Sequence, residues 1–141
     1  MEIRQAQTDA EIARCFPVMA QLRPHLDPNA FIETVRRQMA GGYRLAYLAE
    51  DEEVHAVAGY RVLDTLAHGR VLYVDDLVTD AATRSRGHGD ALFDWLYAEA
   101  GRSGCQRPHL DSGVQRAGAH RFYFCKRMHV ASYHFALPVE R

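Results

Sequence analysis

The residues best suited to chemistry in this chain sit together in Arg84-Ser85-Arg86-Gly87-His88-Gly89-Asp90. Glycines here let backbone N–H groups approach a ligand with no Cβ in the way, and a helix starting at this point adds partial positive charge. Arg84 and Arg86 add charge-assisted donors, so the stretch suits a phosphate group. It is not a P-loop, because no Lys-Ser/Thr follows, and the third glycine of a dinucleotide turn would fall at Leu92. Taken alone, Gly-x-Gly before a helix is a weak signal, since many strand-to-helix turns use glycine for geometry only.

Carboxylates form a second group. Asp75 and Asp76 interrupt the apolar run 71–78, one on each face, and Asp111 falls in the short strand expected over 108–112. A carboxylate inside a strand is costly unless it is paired, hydrogen-bonded or at a cleft, so each is either a proton acceptor or a member of a structural pair. Phe122, Tyr123 and Phe124 are consecutive in a helical stretch and spread over roughly 200° of its surface, so one buried stripe cannot take all three. Tyr123 is the one with a proton to give. On spacing alone, a core tyrosine with a satisfied hydroxyl is the favoured reading. His109, His120 and His134 are weaker base candidates.

Two other constellations carry less. Cys105 with His109 and Cys125 with His129 form Cys-x3-His pairs, but no CxxC is present and the second pair adjoins an aromatic run that reads as core. Asp111-Ser112 lacks the Gly-x-Ser-x-Gly elbow of a hydrolase.

These residues need elements to hold them. Residues 2–6 read as a first strand, and Thr8 with Glu11 forms a capping box for a helix carrying Ile12, Cys15, Phe16, Met19 and Leu22, with Pro17 predicting a kink or break. A second helix covers about 29–39 and stops at Gly41-Gly42. Residues 43–49 alternate, with Tyr43, Leu45, Tyr47 and Ala49 on one face; 54–63, apolar on both faces, and 71–78 complete an antiparallel meander. The period then changes. Residues 89–102 are helical, with Leu92, Phe93, Leu96 and Ala100 inward, 108–112 is a short strand, about 115–126 a helix, and 130–137 a last strand with Ala131, Tyr133, Phe135 and Leu137 on its apolar face. The order β-α-α-β-β-β-α-β-α-β puts one parallel βαβ unit, over 71–112, into an otherwise antiparallel sheet, an α+β arrangement.

At 141 residues, 48% hydrophobic and 25% charged, the chain suffices for a single domain over 1–141 with its own core. With 17 Lys+Arg against 18 Asp+Glu there is no basic excess for nucleic acid, and no apolar run of spanning length or signal region points to a membrane. Three cysteines, an odd number, suit a reducing compartment, so the expected location is the cytoplasm. The last strand is a candidate edge that pairs with a second copy, so a homodimer is among the expected assemblies.

Val78, followed six residues later by Arg84-x-x-Gly87-x-Gly89 and an amphipathic helix, resembles the acyl-CoA signature of the GNAT superfamily of N-acyltransferases. In that family Arg/Gln-x-x-Gly-x-Gly/Ala cradles the coenzyme's pyrophosphate. Ala119-His120-Arg121-Phe122-Tyr123 is similar to the family's Ala-x-x-Leu/Phe-Tyr helix, whose tyrosine faces the thioester sulfur. The element order also fits, so the resemblance covers nearly the whole chain and implies a mainly antiparallel mixed sheet with helices on both faces. Arg116 stands where the family often has Asn, and Arg127-Met128 where Gly-Phe is usual.

The resemblance implies an N-acetyltransferase that moves an acetyl group from acetyl-CoA, held by Leu77, Val78, Arg84, Ser85, Arg86, Gly87, His88, Gly89 and Asp90, to a primary amine of a small molecule, peptide or protein. Tyr123 would be the general acid and Asp76, Asp75 or Asp111 the base, directly or through water; Asp111 falls where some GNAT enzymes that acetylate protein N-termini carry an acidic base. No metal is required. A non-catalytic acyl-CoA-binding module, suggested by Arg116 and Arg127, is the alternative, with a small zinc protein behind it. Arg23, His25, Asp27 and Arg44 suit an acidic or amino-acid-like acceptor and equally suit solvent.

Overall fold

The computed structural model describes residues 1–140. Chain order is β1 (Glu2–Gln5), α1 (Asp9–Leu22), α2 (Phe31–Ala40), β2 (Arg44–Glu50), β3 (Glu53–Thr65), β4 (Gly69–Thr79), a 3-10 turn (Ala81–Thr83), α3 (His88–Arg102), β5 (Pro108–Leu110) and α4 (Ala117–Cys125). The five strands lie in the order β1-β2-β3-β4-β5. The first three pairings are antiparallel and one pair in the sheet is parallel, an α+β fold as expected.

Alternation in β2 and β3 decides which helix covers which face. Tyr43, Leu45, Tyr47, Ala49 and Val57 join Ile12, Cys15, Val18 and Met19 of α1 and Phe31 and Val35 of α2 in one core. The intervening residues Ala46, Leu48, Ala56, Ala58 and Tyr60 are buried too, on the side where Leu92 and Leu96 of α3 are buried and where Trp95 meets Tyr60 edge-on at 6.0 Å. This explains why β3 is apolar on both faces. Thr8 caps α1 with the predicted capping box, and α1 runs through Pro17, forgoing only the N–H bond that proline cannot make.

The chain groups into two units, Met1–His109 and the residues from Leu110 onward. The second holds α4 and a segment, 129–140, in which no strand forms. That overturns the expected last strand over 130–137. Its residues alternate as a strand would, but a strand is made by pairing, and no backbone hydrogen bond within the described chain involves them. β5 is likewise shorter than the expected 108–112.

Candidate active site

β4 is built to present its two carboxylates. Gly59 of β3 stands opposite Asp76 and Tyr60 opposite Val74, so Asp75 is the extra residue of a β-bulge. Both side chains are mostly buried and both are claimed by arginines. Arg61 grips Asp75 with two bonds, Nε to Oδ2 at 2.9 Å and Nη2 to Oδ1 at 2.8 Å. Arg23, just past α1, donates from Nε to Asp76 Oδ1 at 3.0 Å and from Nη2 to the Asp75 carbonyl at 3.0 Å. The Tyr43 hydroxyl donates to Asp76 Oδ2 at 2.8 Å. Burial, reinforced by the Asp76 charge, pushes the Tyr43 pKa far above the ordinary phenol range, so Tyr43 stays protonated and a donor.

Glycine at position 59 is required by this arrangement. A Cβ there would overlap the Tyr43 hydroxyl and lie 2.7 Å from Asp76 Oδ2. The bulge, Gly59 and Tyr43 together aim Asp76 while Arg23, whose side chain is 42% exposed, keeps one edge of the pair in contact with solvent.

Beyond β4 the chain enters the loop whose glycines and arginines suit a phosphate. Val78 pairs with Val57, Thr79 ends the strand, and Asp80 caps the following turn through its side chain. Ser85 at φ 68° and Gly87 at φ 82° take left-handed backbone that reverses the chain into α3. Gly87 is the N-cap of α3 and no side chain caps this helix, so its first turn aims backbone donors and partial positive charge at the loop. Nothing lies within 4 Å of where a Gly87 Cβ would be, while a Cβ on Gly89 would come 2.8 Å from Thr79 Oγ1. Arg84, Ser85 and Arg86 are exposed along the same loop. These features fit a pyrophosphate: donors without a cap, space over a glycine, and flexible cations at its rim.

His88 differs from its neighbours. Its side chain turns inward, 3% exposed, stacks on His55 at 4.7 Å and 12°, and lies 3.8 Å from Glu50, so what it offers a ligand is its backbone. On the far side of β4 the neighbouring strand β5 is only three residues long.

The C-terminal unit holds Asp111 and Tyr123. Asp111 follows β5 and its Oδ2 lies 3.2 Å from His134 Nδ1. Tyr123 on α4 packs edge-on against Phe122 at 5.6 Å. Burial raises the Tyr123 pKa, and the guanidinium of Arg116, hydrogen-bonded to the phenol, pulls it the other way. Arg116, the departure from the family pattern, is thus a direct partner of the tyrosine. The second departure has a local explanation: Arg127 takes φ 68° after α4, where glycine is usual, and the bonds from Arg127 N to Phe124 O at 3.0 Å and from Met128 N to Tyr123 O at 3.1 Å complete a Schellman end.

Asp75, Asp76, Leu77, Val78 and the loop from Arg84 to Asp90 all follow one another along β4 and into α3, whereas Asp111 and Tyr123 belong to the other unit. Residues that sequence reasoning did not place at the site are Tyr43, Gly59 and Arg61. Two acidic residues inside an apolar strand did signal that cations or donors must face them. Cys15, Cys105 and Cys125 are free thiols, and burial pushes Cys15 up to about 12. Among the described residues no three His, Cys, Asp or Glu side chains converge as metal ligands would.

The class of protein follows from comparison with known families. The family described as Acetyltransferase (GNAT) family matches residues 7–128, and the chain belongs to it. It is an acyltransferase of a family that uses acyl-CoA as co-substrate. A curated relative, "Uncharacterized N-acetyltransferase YhdJ" of Bacillus subtilis (strain 168), is 33% identical over 141 residues, covering 99% of each chain. Among solved structures, the ribosomal-protein-alanine N-acetyltransferase of Brucella melitensis biovar Abortus 2308 superposes with a TM-score of 0.85 at 13% identity, covering 99% of this chain and 100% of that one. The aminoglycoside N-acetyltransferase AAC(6')-Iy, in complex with CoA, does so with a TM-score of 0.84 at 13% identity, covering 99% and 95%.

Proposed function

We propose that this protein transfers an acetyl group from acetyl-CoA directly to a primary amine, without a covalent acyl-enzyme, as a single acetyltransferase domain of the cytoplasm. The observation that carries the reading is the uncapped N-terminus of α3 behind the left-handed Ser85 and Gly87, edged by Arg84 and Arg86. Acetyl-CoA supplies an activated thioester. The backbone of the loop and the two arginines hold its pyrophosphate, and a backbone N–H near Leu77 and Val78 meets the carbonyl oxygen as it gains negative charge.

The acceptor must attack as a neutral amine, whereas an alkylammonium has a reference pKa near 10.4, about three units above neutrality. Asp76 fits the role of base best of the three carboxylates. Asp75 is gripped bidentately by the single guanidinium of Arg61, and Asp111 faces His134, whereas Asp76 takes one bond on each oxygen, from Arg23 and from the neutral Tyr43 hydroxyl, and takes the ammonium proton through a water. The amine nitrogen bonds to the carbonyl carbon as the C–S bond breaks. Tyr123 returns a proton to the departing sulfur; burial raises its pKa, so the phenol is protonated and able to donate, and Arg116 offsets part of that rise. Free cysteines suit a reducing compartment and take no part in the chemistry.

Thiol release from acetyl-CoA with an amine panel tests this. Tyr123→Phe is expected to lower kcat by roughly 100-fold with KM for acetyl-CoA little changed, the usual contribution of a general acid. Unchanged turnover in that variant would remove Tyr123 from the mechanism.

A further inference from the structure

An irregularity in β3 reaches the loop between β4 and α3. Ala49 of β2 stands opposite Val54 while Leu48 stands opposite Ala56, so His55 is the extra residue of a second β-bulge. Val54 and Val57 both pack toward the core of α1 and α2, and strict alternation from Val57 would send His55 the same way. The bulge sends it to the other face instead. There its ring, 7% exposed, lies on the buried ring of His88, which is the first residue of α3 and directly follows the N-cap Gly87. The same residue also holds the near end of the loop, because the His55 carbonyl accepts the Asp80 N–H at 2.8 Å. His55 thus touches the chain where it leaves β4 and again where it enters α3, and the mostly exposed stretch 81–87 hangs between the two contacts.

The two ends are held differently. At the near end Gln21 of α1 adds two bonds, donating to Asp80 Oδ1 at 3.0 Å and accepting from Ala81 N at 2.9 Å. At the far end the contact is ring against ring. Among the described residues neither imidazole Nδ1 has a hydrogen-bond partner, and His88 Nε2 stands 3.8 Å from Glu50 Oε1, beyond hydrogen-bonding distance. Gly87 offers no side chain to pack, so the stack on His55 is what seats the first turn of α3.

We infer that His55 is a positioning residue for the coenzyme: re-aimed by the bulge, it fixes both ends of the loop so that the backbone donors at the start of α3 stand ready for the pyrophosphate. Ordering a loop during binding lowers affinity, and a loop ordered beforehand avoids that loss. The inference rests on the acetyl-CoA reading above. His55 touches neither reactant in that reading, so its loss weakens coenzyme binding and leaves the chemical step alone.

Isothermal titration with acetyl-CoA, the thiol-release assay, and hydrogen exchange of the ligand-free chain read by peptide test it. His55→Ala is expected to bind acetyl-CoA roughly 5- to 10-fold more weakly and to raise its KM similarly, with kcat changed by less than about twofold. In the free protein the amides of 80–89 should exchange roughly tenfold faster. His55→Phe keeps a ring on His88 and gives up no Nδ1 bond, so its affinity is expected within about twofold of the wild type. A folded His55→Ala that binds as the wild type does overturns the inference, and so does a His55→Phe that loses as much as His55→Ala. Should His55→Ala not fold, His88→Ala removes the same stack from the other side, and unchanged affinity and loop exchange in that variant overturn it equally. A wild type that does not bind acetyl-CoA overturns the coenzyme reading itself, and this inference with it.

Discussion

Asp76 is held from three directions: Arg23 from the end of α1, Tyr43 from the start of β2, and Gly59, which leaves room for both. Gly59→Ala therefore drives a methyl group into a buried, already bonded hydroxyl. The expected cost is roughly 2 kcal/mol of stability, a fall of several degrees in Tm, with a parallel loss of kcat because Asp76 is displaced. Combining it with Tyr43→Phe, which removes the obstructing oxygen, should recover part of the stability; thermal melts of the two single variants and the pair measure the coupling. If Gly59→Ala melts as the wild type does, the steric account of this position is wrong. Sequence made the aspartates visible because a charge within 71–78 breaks an apolar pattern. It did not reveal their partners, because Arg23 and Tyr43 lie 53 and 33 positions away and only the fold brings them in.

Elements with local codes were the legible ones. The Thr8 capping box formed as expected, with the Glu11 carboxylate accepting from the Thr8 and Gln7 N–H groups at 3.0 and 3.1 Å. These bonds hold Glu11 down to about 2, from an ordinary value of 4.5. A carboxylate whose pKa is lower folded than unfolded stabilises the fold fully above the unfolded value and loses that contribution as the pH falls through the folded one. Glu11→Gln is accordingly expected to lower Tm at pH 7 and to converge with the wild type between about pH 4.5 and 2, as melts across that range would show. A gap in Tm that stays constant to pH 2 would mean that the charge is not what Glu11 contributes. The last strand shows the limit of local codes. Alternation at Ala131, Tyr133, Phe135 and Leu137 states which residues share a face, whereas a strand exists only where a neighbour supplies bonds. The bulge at Asp75 was hidden for the same reason: it is a property of two strands in register.

At the scale of the molecule, the fold class and strand meander were readable because both faces of the sheet are covered in the first 109 residues, so periodicity and burial agree there. The site divides likewise. The loop from Arg84 to Asp90 could be read from glycine spacing and a helix start, which are local. The roles proposed for Asp76 and Tyr123 have no such local signature. Isothermal titration of wild type and Gly87→Glu with acetyl-CoA tests most directly whether this loop binds the coenzyme's phosphates. Space around Gly87 admits the new side chain, φ 82° costs roughly 1–2 kcal/mol, and the carboxylate would stand where the pyrophosphate belongs. Micromolar binding by the wild type, lost in a variant that remains folded, is the predicted result; a wild type that does not bind acetyl-CoA, or a folded variant that binds it equally well, would contradict the claim.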